Sequence, residues 1–335
     1  MLKKWTFLIM IIILFSVNFS YSTDMINGAG ATFPYPLYSS WATDYYKATG
    51  IKVNYQSIGS GGGIRQIIER TVHFGASDMA LKPEEIEKSK LIQFPAVIGG
   101  VVPVVNIQGI TSDSLILDGT TLCEIFLGEI KKWDDPKIKA LNPNLNLPSK
   151  SITVIYRSDG SGTTAIFTHY LSTSCKKWAE NVGYGTSIKW RTGIGAKGNE
   201  GVANYVKRTP NSIGYVEFAY AKQNKLTVVK LKNSAGQIVK ADFESFSEAA
   251  SSANLDAKTH FYAWMTNAPG KKAWPITGAT YILLAREKNE INKEVIKFFD
   301  WAFKNGDSTA KKLDYVPLPQ SLKDKVRAYW KNYIK

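Results

Sequence analysis

The sequence predicts an α/β protein built from two lobes. Short runs rich in β-branched and aromatic residues alternate with stretches of helical apolar spacing, which is typical of layered α/β domains. The chain has 335 residues, and soluble cores usually divide beyond roughly 250 to 300 residues. A content of 44% hydrophobic and 12% aromatic residues excludes a disordered chain.

A signal peptide is predicted at residues 1–22. Lys3 and Lys4 precede the apolar run TFLIMIIILF, and small polar residues that include Ser20 and Ser22 follow it. This order is typical of an export signal, so cleavage is expected after Ser22. An uncleaved membrane anchor is the alternative, but the apolar run is shorter than the roughly 20 residues that span a bilayer. No cysteine follows the run to carry a lipid.

Helices and strands then alternate along the chain. In order, they are the helix YPLYSSWATDYYKATG (35–50), the strand KVNYQSI (52–58), the helix GIRQIIERT (63–71), the strands GGVVPVVNI (99–107) and SITVIYR (151–157), the helix AIFTHYLSTSCKKWAEN (165–181), the strands SIGYVEF (212–218) and ATYILLA (279–285), and the helix NKEVIKFFDWAFKNG (292–306). No Pro/Gly/Ser-rich linker interrupts them, so crossing strands are expected to join the lobes.

Three glycine-rich turns each precede a predicted helix. They are INGAGATFPYP (26–36), SIGSGGGIRQII (57–68) and RSDGSGTT (157–164). A helix N-terminus presents unpaired N–H groups and a partial positive charge, which together favour an anion. Hydroxyls stand at equivalent places in the turns, at Thr32, Ser60, Ser161 and Thr163. The pattern indicates that the three turns converge on one anion.

The turn RSDGSGTT is also compatible with other chemistries. A nucleotide P-loop needs a lysine after its last glycine, and none follows Gly162. A nucleophilic Ser161 needs a base within hydrogen-bond reach. His169 lies eight residues on in the same predicted helix, about 12 Å along its axis, while His73 and His260 are not placed by the sequence. A hydrolase therefore remains an alternative.

A match to G-x-G-x-x-G at GIGAKG (193–198) is discounted as a dinucleotide site. The preceding SIKWRT is a poor buried strand, and the following GNEGVAN is a weak helix start.

The net charge, the cysteines and the histidines indicate which ligands and cofactors the protein can bind. The formal net charge of +14 suits an anionic partner, but lysines are interspersed with acids, which favours a solvated surface over a nucleic-acid site. Cys123 and Cys175 leave two alternatives, a disulfide in an exported protein or two buried free thiols. These two cysteines and three histidines offer no metal-ligand spacing. Neither a metal nor a cofactor is expected.

Several motifs together resemble one family. GAGATFPYPLYSSW, GSGGGIRQII, FGASDMAL, QFPAVIGGVVPVVNI, LGEIKKWDDP, RSDGSGTT, NSIGYVEFAYAK, AWPITGATYIL and FFDWAFKNG stand in the order found in the periplasmic phosphate-binding proteins of bacterial ABC phosphate uptake, the PstS type. The resemblance covers nearly the whole mature chain. It implies a type II periplasmic-binding-protein fold that closes on a dehydrated phosphate in a cleft between its lobes.

The resemblance also implies a set of phosphate-binding residues. Carried over position by position, they are Thr32, Phe33, Ser60, Asp78, Arg157, Ser161, Gly162 and Thr163, with Asp159 as the carboxylate paired with the arginine. Hydroxyls and the backbone N–H groups of Phe33, Gly162 and Thr163 can encircle a tetrahedral oxyanion. Asp78 can accept a hydrogen bond from protonated phosphate, whereas sulfate has no proton to offer.

The family organisation sets the remaining expectations. The first lobe is expected at 23–106 and 280–335, and the second at 107–279. A monomeric receptor without catalytic activity is expected to act in the periplasm and to deliver phosphate to ABC permease subunits at the inner membrane. An exported phosphoester hydrolase or an adhesin-like relative on the same scaffold is the alternative function.

Overall fold

A computed structural model describes residues 25–334. The predicted signal peptide lies outside the described residues. The strands are β1 Met25–Gly30, β2 Lys52–Ser57, β3 Phe74–Ser77, β4 Leu91–Asn106, β5 Ile116–Leu117, β6 Thr153–Arg157, β7 Ile194–Ala196, β8 Ser212–Glu217, β9 Thr227–Val228, β10 Lys230–Lys232, β11 Ile238–Val239 and β12 Thr277–Ala285.

The helices lie between these strands and after the last of them. They are α1 Tyr35–Thr49, α2 Ser60–Ile68, α3 Pro83–Ser89, α4 Gly119–Leu127, α5 Pro136–Leu141, α6 Gly162–Ser174, α7 Lys176–Asn181, α8 Gly198–Arg208, α9 Phe218–Gln223, α10 Phe243–Ser251, α11 Asn289–Asn305, α12 Asp307–Lys312 and α13 Gln320–Tyr333. None of the helices in the described part of the chain is both long enough and apolar enough to cross a membrane.

Most strands form one large sheet in the order β2-β1-β3-β12-β4-β8-β6-β7, with β9 paired to β4. Two groups of parallel strands lie at its ends. In the first half, the chain runs β1-α1-β2-α2-β3, and β1 pairs in parallel with β2 and β3. In the second half it runs from β6 through α6 and α7 to β7, and through α8 to β8, with β6 parallel to both strands. The predicted α/β architecture is confirmed.

The long strand β4 connects the two halves. It has 16 residues. Its first part pairs antiparallel with β12 from Leu91 to Gly100, and its second part pairs antiparallel with β8 from Val101 to Asn106. The partner therefore changes between Gly100 and Val101, within the predicted strand GGVVPVVNI.

Aromatic side chains fill the core on both sides of this change of partner. In the first half, Phe299 makes edge contacts with Phe74 and Phe94. In the second half, Phe167 stacks on Tyr215 at 4.3 Å between ring centroids. Burial of such rings is a large part of the apolar stabilisation of a domain, and the buried rings of both halves belong to one continuous hydrophobic core.

Two sequence predictions in the second half are wrong. The single helix expected at 165–181 is divided into α6 and α7, because Cys175 between them has an extended backbone. Cys175 forms a disulfide with Cys123 on α4, which decides between the two alternatives for the cysteines. The segment GNEGVAN, considered a weak helix start, begins α8.

Candidate functional site

The parallel strands of both halves end at one place. Their carboxyl ends are followed by Thr32 after β1, Ser60 after β2, Asp78 after β3 and Asn199 after β7, while Arg157 and Glu217 are the last residues of β6 and β8. In open α/β sheets, ligands bind at the carboxyl ends of the strands. The topology therefore brings six strand ends together as one candidate site.

Two of the glycine-rich turns meet directly across the halves. The Gly162 N–H, at the start of α6, donates to Ser60 Oγ, at the start of α2, at 3.0 Å. The Gly61 N–H donates to the Gly160 carbonyl at 2.9 Å. A β-carbon on Gly162 would lie 2.4 Å from Ser60 Oγ and 2.6 Å from Asp78 Cβ, so only glycine permits this approach.

The third turn joins the same site through hydrogen bonds. The Tyr220 hydroxyl donates to the Thr32 carbonyl at 2.7 Å, and the Tyr315 hydroxyl lies 2.6 Å from the Phe33 carbonyl. The Asn199 side chain contacts the Thr32 and Thr163 hydroxyls. The three turns therefore lie together, and Thr32, Phe33, Ser60, Ser161 and Thr163 are all buried. That they bind one anion stays a prediction.

Ser60 is positioned so that its hydroxyl hydrogen stays available. Its Oγ accepts two hydrogen bonds, from the Gly162 N–H and from the Asp78 N–H at 3.2 Å. A hydroxyl accepts through two lone pairs and donates one hydrogen. With both lone pairs used, Ser60 can add only a donated bond, which suits an oxyanion. The Gly162 N–H, which the resemblance assigns to the ligand, donates to Ser60 in this arrangement.

Ser161 is the N-cap of α6. Its Oγ accepts from the Thr164 N–H at 3.0 Å, which is the usual role of a serine at this position. The histidines bind elsewhere: His73 accepts from the Asn27 N–H, His169 contacts Thr266, and His260 contacts Tyr329. Within residues 25–334, no histidine is hydrogen-bonded to Ser161 to serve as a base.

Arg157 brings a positive charge that is already paired. Its Nε and one terminal nitrogen donate to the two carboxylate oxygens of Asp159 at 2.7 and 2.6 Å. The Arg157 side chain is 1% exposed, so the two bonds form in a largely water-free environment. Burial alone would raise the pKa of Asp159, but its hydrogen bond to Arg157 and the charge of Arg157 outweigh burial and lower it. The pair is therefore ionised and has a net charge near zero.

Asp78 is a buried carboxyl group with one free oxygen. Its Oδ1 accepts from the Thr280 hydroxyl at 2.7 Å, whereas Oδ2 is buried without a hydrogen-bond partner. Burial raises the pKa of Asp78 to about 7, against the opposing effects of Thr280 and Arg157. Near neutral pH, the carboxyl group is thus close to the point at which it gains or loses a proton.

Three further polar residues lie at this site that no sequence motif indicated. Asn199 and Glu217 follow or end strands of the second half, and Thr280 lies in β12. Glu217 Oε2 contacts the Ala219 N–H and the Tyr315 hydroxyl, both at 2.9 Å, and burial raises the pKa of this carboxyl group. A search for polar residues at the ends of parallel strands could have found Asn199 and Glu217.

Within residues 25–334, no group of three or more His, Cys, Asp or Glu side chains is placed to hold a metal ion. The donors at the site are instead hydroxyls, backbone N–H groups and one paired guanidinium. Together they can surround and hydrogen-bond a small oxyanion.

The fold and this site define a class of two-halved solute-binding proteins. In agreement, residues 20–305 match the family model of the PBP superfamily domain.

Two relatives identify a particular family within that class. The phosphate-binding protein PstS of Haemophilus influenzae is 55% identical over 314 residues, 93% of this chain and 94% of that protein. The phosphate-binding protein PstS of Pasteurella multocida is 54% identical over 327 residues, 96% of this chain and 95% of that protein. The chain belongs to the PstS family of phosphate-binding proteins.

A solved structure agrees at the level of the fold. A high affinity periplasmic phosphate-binding protein bound with phosphate superposes with a TM-score of 0.72 at 24% identity, over 90% of this chain and 93% of that one.

Proposed function

We propose that this protein binds inorganic phosphate between its two halves and delivers it to an ABC importer. The observation that carries the proposal is the convergence of hydroxyl and N–H donors from both halves at the strand ends, where Arg157 is already paired with Asp159. An anion held this way is stabilised mainly by dipoles, and such fixed donors discriminate by geometry. The PstS relatives named above are phosphate-binding proteins.

The proposed ligand contacts are those that the resemblance implies. The oxyanion is bound by hydroxyls, backbone N–H groups, one guanidinium and one carboxyl group, contributed by Thr32, Phe33, Ser60, Asp78, Arg157, Ser161 and Thr163. Gly162, which the resemblance also implies, acts through Ser60, to which its N–H donates. Asp159 orients and neutralises Arg157. Their burial and mutual contacts support this set, because a dehydrated anion needs donors that are held away from water.

Asp78 gives the proposed site its selectivity. Phosphate near neutral pH carries a proton, so one hydrogen can be shared between a phosphate oxygen and the free Oδ2 of Asp78. Sulfate has no proton and faces the ionised carboxylate without a hydrogen bond. This repulsion excludes a close competitor without weakening the intended ligand.

The two halves are proposed to move as lobes that close over phosphate. The change of partner along β4, between Gly100 and Val101, supports a crossing a few residues before the predicted boundary at 106. The second crossing is proposed near β12, at about 280. Contacts between the halves, such as Gly61 to Gly160, would break on opening. Ligand contact is thereby coupled to hinge closure.

The site supports binding without turnover. A hydrolase would need a base beside Ser161, and in the part of the chain that the structure describes the histidines are bound elsewhere. The PstS relatives are phosphate-binding proteins, and for that reason the hydrolase and adhesin-like alternatives are not favoured. We further propose that the protein is exported, acts as a monomer in the periplasm, and presents its closed form to permease subunits at the inner membrane.

Calorimetry and an ester assay test the proposal together. The mature chain should bind inorganic phosphate at one site per molecule and should release no phosphate from a phosphomonoester. Arg327→Ala, which removes a partly exposed arginine of α13 paired with Asp300, is the matched control and should bind phosphate like the parent. Absence of phosphate binding, or sustained ester turnover, would contradict the proposed function.

A further inference from the structure

Asn199 occupies a central place between hydroxyls that come from opposite halves. It is the second residue of α8, three positions after the end of β7, and its side chain is fully buried. Its Nδ2 lies 2.7 Å from Thr32 Oγ1 and 3.1 Å from Thr163 Oγ1. Its Oδ1 lies 2.9 Å from the backbone nitrogen of Glu217. The amide therefore has a partner in three directions.

The bond to Glu217 fixes which way the amide faces. A backbone N–H can only donate, so the atom that faces it must be the amide oxygen. The NH₂ group then points the other way, and each of its two hydrogens is directed to one threonine. Asn199 is a donor to both hydroxyls.

Both threonine oxygens receive a second donor as well. Thr32 Oγ1 also lies 3.3 Å from the backbone N–H of Asn199, and Thr163 Oγ1 lies 3.4 Å from a terminal nitrogen of Arg157. Two accepted bonds use both lone pairs of a hydroxyl. Each threonine then has only its hydrogen left, and that hydrogen can go only to an acceptor.

We propose that Asn199 is a positioning residue that sets the hydrogen-bond polarity of the phosphate site. By donating to Thr32 and Thr163, it makes both hydroxyls donors towards the bound oxyanion. Without it, each hydroxyl can rotate and present a lone pair to phosphate. This inference rests on the proposed function, since it assigns a role within the same site.

A double-mutant cycle tests whether Asn199 acts through the hydroxyls. Asn199→Ala should weaken phosphate binding about 10- to 100-fold in the parent. In a Thr32→Val/Thr163→Val background, which keeps the side-chain shape but has no hydroxyls, the same change should have an effect at least threefold smaller. Calorimetry and competition at millimolar phosphate give the affinities, and thermal unfolding shows that each variant is folded.

A second variant keeps the test decisive if Asn199→Ala does not fold. Asn199→Asp keeps the size and the acceptor for the Glu217 N–H, but its carboxylate accepts from the threonines and turns their hydrogens away. Its loss of affinity should also shrink at least threefold in the double-valine background, whereas simple charge repulsion would persist there.

The possible results separate the two proposals. A parent that binds phosphate, with an effect of Asn199 that differs by less than threefold between backgrounds, overturns the role of Asn199 alone. A parent that does not bind phosphate overturns the proposed function itself.

Discussion

The two halves of the molecule contribute different chemistry to one site. The first half, with β1 to β3, supplies the Thr32 and Ser60 hydroxyls and the buried carboxyl group of Asp78. The second half, with β6 to β8, supplies the Arg157–Asp159 pair and the start of α6. Both halves have similar strand and helix order, so the difference lies in the residues at the strand ends rather than in the scaffold.

Groups of the second half donate hydrogen bonds to the hydroxyls of the first half and so fix which way those hydroxyls point. Ser60 of the first half accepts from Gly162 of the second, and Thr32 accepts from Asn199. The hydroxyls of the first half are therefore left as donors only when the second half is in contact with them. The lobe closure proposed above would therefore complete the donor set, and neither half alone should bind phosphate tightly.

The largest expected effect comes from the charged group of the second half. Arg157→Ala should weaken phosphate binding by about 2 to 5 kcal/mol, because it removes a buried charged donor and leaves Asp159 unpaired beside the anion. Calorimetry at constant ionic strength measures the change, with Arg327→Ala as the control. A loss below about half a kcal/mol would mean that the dipoles of both halves suffice without this charge.

The carboxyl group of the first half should affect stability through pH. In the folded protein its pKa is raised to about 7, whereas in the unfolded chain it is near the ordinary value for aspartate, about 4. Between these values the folded state holds a proton that the unfolded state has lost, so Asp78 lowers stability as pH rises from about 4 to about 7.

Removing that carboxyl group should therefore stabilise the ligand-free protein at high pH. Asp78→Asn should raise the free energy of unfolding at pH 8 on the order of 4 kcal/mol relative to the parent, and by much less at pH 5. Urea unfolding at both pH values measures the difference. Equal differences at the two pH values would show that the folded-state pKa of Asp78 is not raised.

A smaller effect is expected at the start of α6. Ser161→Ala should weaken phosphate binding by about 1 to 3 kcal/mol, the range for a lost hydrogen bond to a charged group, and should also lower stability by about 1 kcal/mol through loss of the cap. Asp242→Ala removes the cap of α10, away from the site, and should lower stability without changing affinity. A covalent phosphoryl adduct on Ser161, detected by mass spectrometry, would overturn the receptor account.

Local signals in the sequence predicted residues of the site in both halves, but not Asn199 of the second half. Glycine-rich turns before helices are a local signal, and they located Thr32, Ser60, Ser161, Gly162 and Thr163. Asn199 follows β7, which has only three residues, Ile194–Ala196, too few to show a strand period. The irregular segment before it therefore hid both the strand and the helix that follows.

Contacts between residues that are far apart in the chain also could not be predicted from the sequence. Thr280 and Asp78 are 202 residues apart, yet their hydrogen bond and their shared burial shape the pKa of the carboxyl group. The extended backbone at Cys175 likewise depends on its position opposite Cys123 in space. Apolar periodicity predicts neither of these two contacts. It indicates which face of a helix or strand is buried, but not which residues pack against that face.

The comparison of affinities for phosphate and sulfate tests the central claim most directly. At pH 8, above the pKa of Asp78, the parent should bind phosphate at one site and sulfate far more weakly. Asp78→Asn removes the charge, and its amide NH₂ can turn towards a sulfate oxygen. Phosphate binding should then stay within about tenfold, or 1.4 kcal/mol, while the phosphate-to-sulfate affinity ratio, measured by competition at constant ionic strength, falls by about tenfold or more. An unchanged ratio would contradict the account, because selectivity would then reside in the hydroxyl and backbone donors of the two halves and not in Asp78.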